Sequence, residues 1–139
     1  MHPITVHASC VALQGKAALI LGASGSGKST LALELMSRGA QLVADDQTQL
    51  LLKGDTLIAS APDAIKGKIE ARGVGILNAD PAPETPVKLV IDLDQTEDHR
   101  LPQWHTIARF GVTLPLLFNV PHPHFAPAIL QYLSHGRSE

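Results

Sequence analysis

Eight consecutive residues offer the plainest chemistry in this chain. Gly22-Ala23-Ser24-Gly25-Ser26-Gly27-Lys28-Ser29 satisfies G-x-x-x-x-G-K-[ST], the pattern of a phosphate-binding loop. Glycines let successive backbone N–H groups turn inward around phosphate oxygens, and a helix starting at Lys28 adds the positive end of its dipole. Lys28 is suited to the β- and γ-phosphates of a nucleoside triphosphate, and the Ser29 hydroxyl to Mg²⁺, with Thr30 next on the helix. At average residue usage a window matches by chance about 4 × 10⁻⁵ of the time, so a glycine-rich turn with an incidental lysine is a poor alternative. A dinucleotide fingerprint fails too, because Gly25-x-Gly27 requires a glycine where Thr30 stands. The pattern implies a bound triphosphate with Mg²⁺ and transfer of its terminal phosphoryl group.

Asp45-Asp46 follows an apolar run, where a carboxylate can hold Mg²⁺ or take a proton from an attacking hydroxyl. The bland alternative is a turn-initiating pair. Glu70 and Arg72 lie in IEARGVGILN at a spacing of two, so on a strand both point to one face. Such a pair serves equally well as metal ligand plus phosphate clamp or as a surface ion pair before a glycine bend. His122-Pro123-His124 lacks a third ligand at helical or hairpin spacing and reads as solvated loop histidines.

The elements that must position these groups follow from patterning. Ile4–Leu13 reads as one strand, Gln14-Gly15 as a turn, and Lys16–Leu21 (KAALIL) as a strand buried on both faces. From Lys28 a helix runs with Leu31, Ala32, Leu33, Leu35 and Met36 apolar nearly all round, stopping at Arg38-Gly39. Gln41–Ala44 is a short strand, and Thr48–Leu52 and Thr56–Ser60 flank Lys53-Gly54-Asp55 as a hairpin. Asn78–Pro86, with three prolines, reads as a loop, since Pro81, Pro83 and Pro86 do not suit a central strand. Val87–Leu93 and Leu114–Val120 read as strands and Pro127–Leu133 as a short helix. The fold class is α/β, rich in strands, with a buried helix after the phosphate loop.

Composition narrows the function. The 139 residues suit a single domain over 1–139, 45% hydrophobic and 17% charged, with net charge −2 and no basic run, so no nucleic-acid partner is expected. The lone Cys10 excludes an internal disulfide. No signal peptide or spanning segment is evident, which points to a cytoplasmic chain with no membrane partner.

Val6-His7, GASGSGKS, LELMSRGAQLVADD, IEARGVGILN and ARFGV, in this order, resemble the C-terminal catalytic domain of bacterial HPr kinase/phosphorylase from His7 to about Leu133. The resemblance implies the HPr kinase/PEP carboxykinase-like fold and transfer of the ATP γ-phosphoryl group to a serine of the phosphocarrier HPr, often with reverse phosphorolysis. It implies ATP on Gly22–Thr30, that is Gly22, Ala23, Ser24, Gly25, Ser26, Gly27, Lys28, Ser29 and Thr30. Asp46 then matches the general base, Asp45 its acidic neighbour at the metal, and Ser29 and Glu70 Mg²⁺ ligands. His7, otherwise an ordinary strand histidine, matches an active-site histidine, and Arg109 an active-site arginine on a mobile loop. The family's hexamer implies a homo-oligomer.

The sequence departs from that pattern at several points. Ala8 replaces a glycine after the histidine, and Asn78–Pro86 is shorter and richer in proline than the family segment. Val120–Pro127 stands where the family has a Gly-Arg-Asn stretch tied to dephosphorylation, and little precedes His7 or follows Leu133. Such short forms resemble those of α-proteobacteria. The expectation is therefore a kinase acting on HPr or its nitrogen-system paralogue, with weak or absent phosphorylase activity. The competing readings are a small-molecule P-loop kinase, disfavoured because no arginine-bearing lid helix is visible, and a nucleotide-sensing module that has lost transfer.

Overall fold

A computed structural model describes residues 2–139. Among the described residues eleven strands and two α-helices, with a 3-10 turn at Asp63–Ile65, follow one another, beginning with β1 (Ile4–Val6), β2 (Ala8–Leu13), β3 (Lys16–Leu21), α1 (Lys28–Ser37), β4 (Gln41–Ala44), β5 (Thr48–Lys53) and β6 (Thr56–Ser60). Then come β7 (Lys68–Ala71), β8 (Gly75–Asn78), β9 (Thr85–Thr96), β10 (His105–Ile107), β11 (Leu114–Asn119) and α2 (Phe125–His135). Strands β1-β5-β6-β9-β3-β2-β4 form the main path of one sheet, with β11 beside the later part of β9 and β10 beyond it. Hairpin β7–β8 stands apart as a second, small sheet.

Strand direction positions the chemistry. β9 runs parallel to β3 and to β11, while β2 is antiparallel to both β3 and β4. Consequently β3, β4, β9 and β11 all point the same way, and their carboxyl ends lie along one edge of the sheet. The phosphate loop leaves β3 there, Asp45-Asp46 leaves β4, Asp94 lies near the end of β9, and His7 and Ser9 open β2 at the same edge. Ligands in open α/β sheets bind in the crevice outside such carboxyl ends.

The apolar alternation along β3 explains why the sheet is covered on both faces. Ala18 and Ile20 pack with Val11, Leu89 and Ile91 against Leu31 and Leu35 of α1 and Ile129 and Leu133 of α2. Leu19 and Leu21 point the other way, toward Leu50, Leu57, Val90, Phe110 and Leu114. A strand so enclosed must be apolar at every position, as KAALIL is after its first residue. Burial of Leu31, Ala32 and Leu35 fixes α1, and with it the loop that precedes it. No helix among the described residues is long and apolar enough to cross a membrane.

The structure corrects three elements read from the sequence and adds one. Ile4–Leu13 is not one strand: it breaks at His7, so that β1 pairs with β5 while β2 pairs with β3 and β4. Pro86 does lie in a central strand, as the second residue of β9. It sits opposite Ile58 and ahead of Val87, where pairing with β3 starts, so the β3 ladder loses no N–H donor. β10, a three-residue strand, was not legible, and α2 extends beyond Pro127–Leu133 in both directions, with Pro127 tolerated in its first turn.

Candidate functional site

The loop after β3 has the left-handed backbone its glycines permit, with φ of +82° at Gly25 and +101° at Gly27. Ser26 N–H donates to Ala23 O at 3.0 Å and Leu31 N–H to Gly27 O at 2.9 Å, so the turn runs directly into α1. Lys28, 5% exposed, folds back across the loop and donates from Nζ to Gly22 O at 2.9 Å and Ala23 O at 3.1 Å. Its ammonium is thereby held over the turn. The Ala23 N–H faces outward to the Asp94 carboxylate, at 3.0 and 3.1 Å from its two oxygens. Strand β9 therefore braces the loop from behind.

The two adjacent aspartates have opposite environments. Asp45 is buried and accepts from Ser29 Oγ at 2.6 Å, Ser9 Oγ at 3.0 Å and the Glu70 N–H at 3.0 Å. One carboxylate thus ties together α1, β2 and hairpin β7–β8. Asp46 takes a left-handed backbone, φ +67°, uncommon for a residue with a side chain. Its N–H donates to Ser9 Oγ at 3.1 Å and its carbonyl accepts from Ala8 N–H at 3.1 Å, bonds that hold this conformation. The Asp46 carboxylate is 61% exposed and lies 2.7 Å from His7 Nε2. A carboxylate only accepts, so Nε2 carries the proton of that bond.

A cleft of about 730 Å³ opens between the loop and hairpin β7–β8. Ser24, Gly25, Lys28, Ser29, Thr30, Asp45 and Asp46 line one side, and Lys68, Glu70 and Arg72 the other. Three cations and three carboxylates thus share one cavity, as a charged, multi-anion ligand with a metal requires. Arg72 reaches the cleft by a route different from that expected. It does not share a strand face with Glu70, because β7 ends at Ala71 and Arg72 sits in the turn closed by Val74 N–H to Ala71 O at 2.9 Å. Arg109 is not among the residues lining the cleft. It is exposed on the loop after β10, its guanidinium 5.1 Å from the centre of the Phe110 ring. His122 and His124 are exposed and lean on each other, ring centres 4.2 Å apart.

The donors present fit Mg²⁺ and a triphosphate. Mg²⁺ takes oxygen ligands and few of them from protein, and the Ser29 hydroxyl and Asp45 carboxylate already stand together, with the exposed Glu70 carboxylate across the cleft. A Cβ built on Gly25 or Gly27 would meet nothing within 4 Å, so the loop has open space beside both residues. Three residues of the site escaped the sequence reading: Lys68 on β7, Ser9 and Asp94. Ser9 bonds both aspartates from 36 and 37 residues away, and Asp94 bonds Ala23 across 71 residues. A serine in an apolar strand carried a weak hint of Ser9; nothing local marked Asp94.

A buried strand, a glycine-rich loop with its lysine, a helix, and a carboxylate bonded to the loop serine define a P-loop phosphate-binding domain. The chain belongs to the HPr Serine kinase C-terminal domain family, whose model matches residues 1–112. It is 50% identical over 76 residues to an HPr kinase/phosphorylase of Caldanaerobacter subterraneus, covering 54% of this chain and 25% of that one. An HPr kinase/phosphorylase of Geobacillus thermodenitrificans is 44% identical over 97 residues, 64% of this chain and 31% of the relative. The chain spans about a quarter to a third of the length of these curated relatives. The solved structure of the Hpr(Ser) kinase/phosphatase from Coxiella burnetii superimposes with a TM-score of 0.76 at 27% identity, covering 94% of this chain and 93% of that one. The mixed α/β, strand-rich fold of the family is thereby shown.

Proposed function

We propose that this chain is a Mg-ATP-dependent protein serine kinase whose acceptor is a serine of the phosphocarrier HPr or its nitrogen-system paralogue. One observation carries the reading: the exposed Asp46 carboxylate shares a cleft with the Lys28 loop and is oriented by His7 Nε2 at 2.7 Å. A nucleotide sensor has no need of a free carboxylate there. The family and the Coxiella likeness support the same direction.

In this reading Asp46 takes the proton of the acceptor serine as its oxygen bonds to the γ-phosphorus, while the bond to the β–γ bridging oxygen breaks and ADP leaves. Lys28, Lys68 and Arg72 offset the charge of the phosphate oxygens. Ser29 and Asp45, with Glu70, would hold Mg²⁺, which when bound neutralises phosphate charge. Arg109 does not line the cleft and takes no part in this step. The Val120–Pro127 stretch, lacking Gly-Arg-Asn, supports a reverse phosphorolysis that is weak or absent.

The test is transfer of labelled γ-phosphate to purified HPr, the paralogue, and an HPr variant with the acceptor serine replaced by alanine. Label on the first or second, none on the third, and loss of transfer by at least about 100-fold in Asp46→Asn are expected. Full activity of Asp46→Asn overturns the assigned base. Serine-phosphorylated HPr incubated with inorganic phosphate should release little pyrophosphate, and abundant pyrophosphate would overturn the one-way reading.

A further inference from the structure

A second cleft, about 280 Å³, lies on the other flank of the phosphate loop. It shares Gly27 and Thr30 with the large cleft and is otherwise lined by the apolar Leu31, Leu93, Val120, Pro121 and Phe125 and by the polar Ser26, Glu34, Asn119 and His122. Its position follows from the sheet. Leu93 comes from β9 and Val120 follows β11, the two strands parallel to β3 on the side away from Asp45. The catalytic carboxylates and the second cleft therefore lie on opposite sides of the same loop.

We propose that this cleft seats the heteroaromatic base of the nucleotide whose phosphates the Gly22–Ser29 loop cradles, an inference that rests on the nucleotide-kinase reading above. Three observations support that occupant. Continuity through Gly27 and Thr30 lets one ligand lie in both clefts, phosphates on one side and base on the other. The volume falls just under the ~300 Å³ lower bound of ordinary small-molecule sites, room for one ring system rather than a whole nucleotide. The lining mixes apolar walls with the Phe125 and His122 rings and polar groups that include the Glu34 carboxylate and Asn119, which suits a flat ring bearing N–H and acceptor groups. The loop that carries the ring is also pre-shaped. His122 N–H donates to Val120 O at 2.7 Å, Phe125 N–H to His122 O at 3.0 Å, and His124 N–H to His122 Nδ1 at 3.1 Å. With Nδ1 an acceptor, the ring has one settled orientation and keeps Nε2–H to donate.

The experiment compares Mg-ATP with Mg-tripolyphosphate, a ligand with the phosphates and no base, by calorimetry on the wild type and His122→Ala. Base–aromatic stacking lost on alanine substitution predicts that His122→Ala weakens ATP about fivefold or more and tripolyphosphate by less than about twofold. Independently, the carbon-bound ring protons of His122 in the wild type should shift in NMR spectra on adding Mg-ATP and stay still with Mg-tripolyphosphate. Equal wild-type affinity for the two ligands, or His122 protons that ignore ATP, overturns the base subsite and leaves the phosphate loop standing. A wild type that binds neither overturns the nucleotide reading and this inference with it.

Discussion

Asp45→Asn probes what holds the site together before any ligand arrives. The buried carboxylate accepts three bonds, from Ser29 Oγ, Ser9 Oγ and the Glu70 N–H. An asparagine of the same shape has one accepting oxygen. Turned toward the two serines it presents its NH₂ to the Glu70 N–H; turned the other way it accepts from Glu70, and both serine hydroxyls must reverse to accept from its NH₂. Converting three charge-assisted bonds to neutral ones costs about 2–4 kcal/mol, since such bonds differ by roughly 1 kcal/mol each. For a chain of 139 residues that lowers the melting temperature by about 7–14 °C. The assay is thermal unfolding by circular dichroism without nucleotide or Mg²⁺, so that ligand linkage adds nothing. A Ser9→Ala/Asp45→Asn cycle should show a coupling of at least about 0.5 kcal/mol. An Asp45→Asn protein melting within about 2 °C of the wild type, with no coupling to Ser9, would refute the idea that this carboxylate joins α1, β2 and the β7–β8 hairpin.

Three further outcomes are expected. In Gly22→Ala the new methyl carbon would lie 2.3 Å from Ser26 Oγ and 3.0 Å from Ser26 Cβ, so the loop must deform; nucleotide affinity should fall about tenfold or more, a loss of ~1.4 kcal/mol, and Gly22→Ala/Ser26→Gly should recover part of it. Glu97, bonded to His105 Nε2 at 2.9 Å, is held below the usual carboxylate value of 4.5 chiefly by that bond, with backbone and side-chain contacts to His99 contributing. Its stabilising effect is therefore complete above about pH 4.5 and lost as pH falls through the depressed value. Urea midpoints of Glu97→Gln and wild type should differ at pH 6 and converge only as the pH falls below that depressed value. Burial of Cys10 raises its thiol pKa strongly, so a thiol reagent should modify it only at the rate of unfolding, and rapid labelling of the native protein would contradict its position in the core.

Much of the site was written in neighbouring residues. Gly22–Ser29 is legible because a phosphate loop is a local object: one chain turn, one lysine and one helix start make it, and no distant partner is needed. KAALIL and the Leu31–Leu35 helix are legible for the same reason, since burial on both faces or nearly all round demands unbroken apolar patterns. Asp45 and Asp46 were recognisable as a pair, but nothing in two identical adjacent letters tells which is buried. Tertiary structure decided that, because Ser9, Ser29 and Glu70 converge on Asp45 from three elements, while Asp46 turns out to solvent at φ +67° beside His7.

The same division runs through the errors. The break at His7 arises because β1 and β2 find different partners, and strand pairing depends on segments 42–46 residues away in β5 and 29–34 away in β4 rather than on local β propensity. Arg72 left the strand because the hairpin register ends β7 at Ala71. Asp94 entered the site through the parallel pairing of β9 with β3, an alignment no local pattern announces. By itself the sequence determined that a phosphate loop opens a buried helix. Only the packed sheet decided which carboxylates meet it, because it alone brings the carboxyl ends of four strands to one edge.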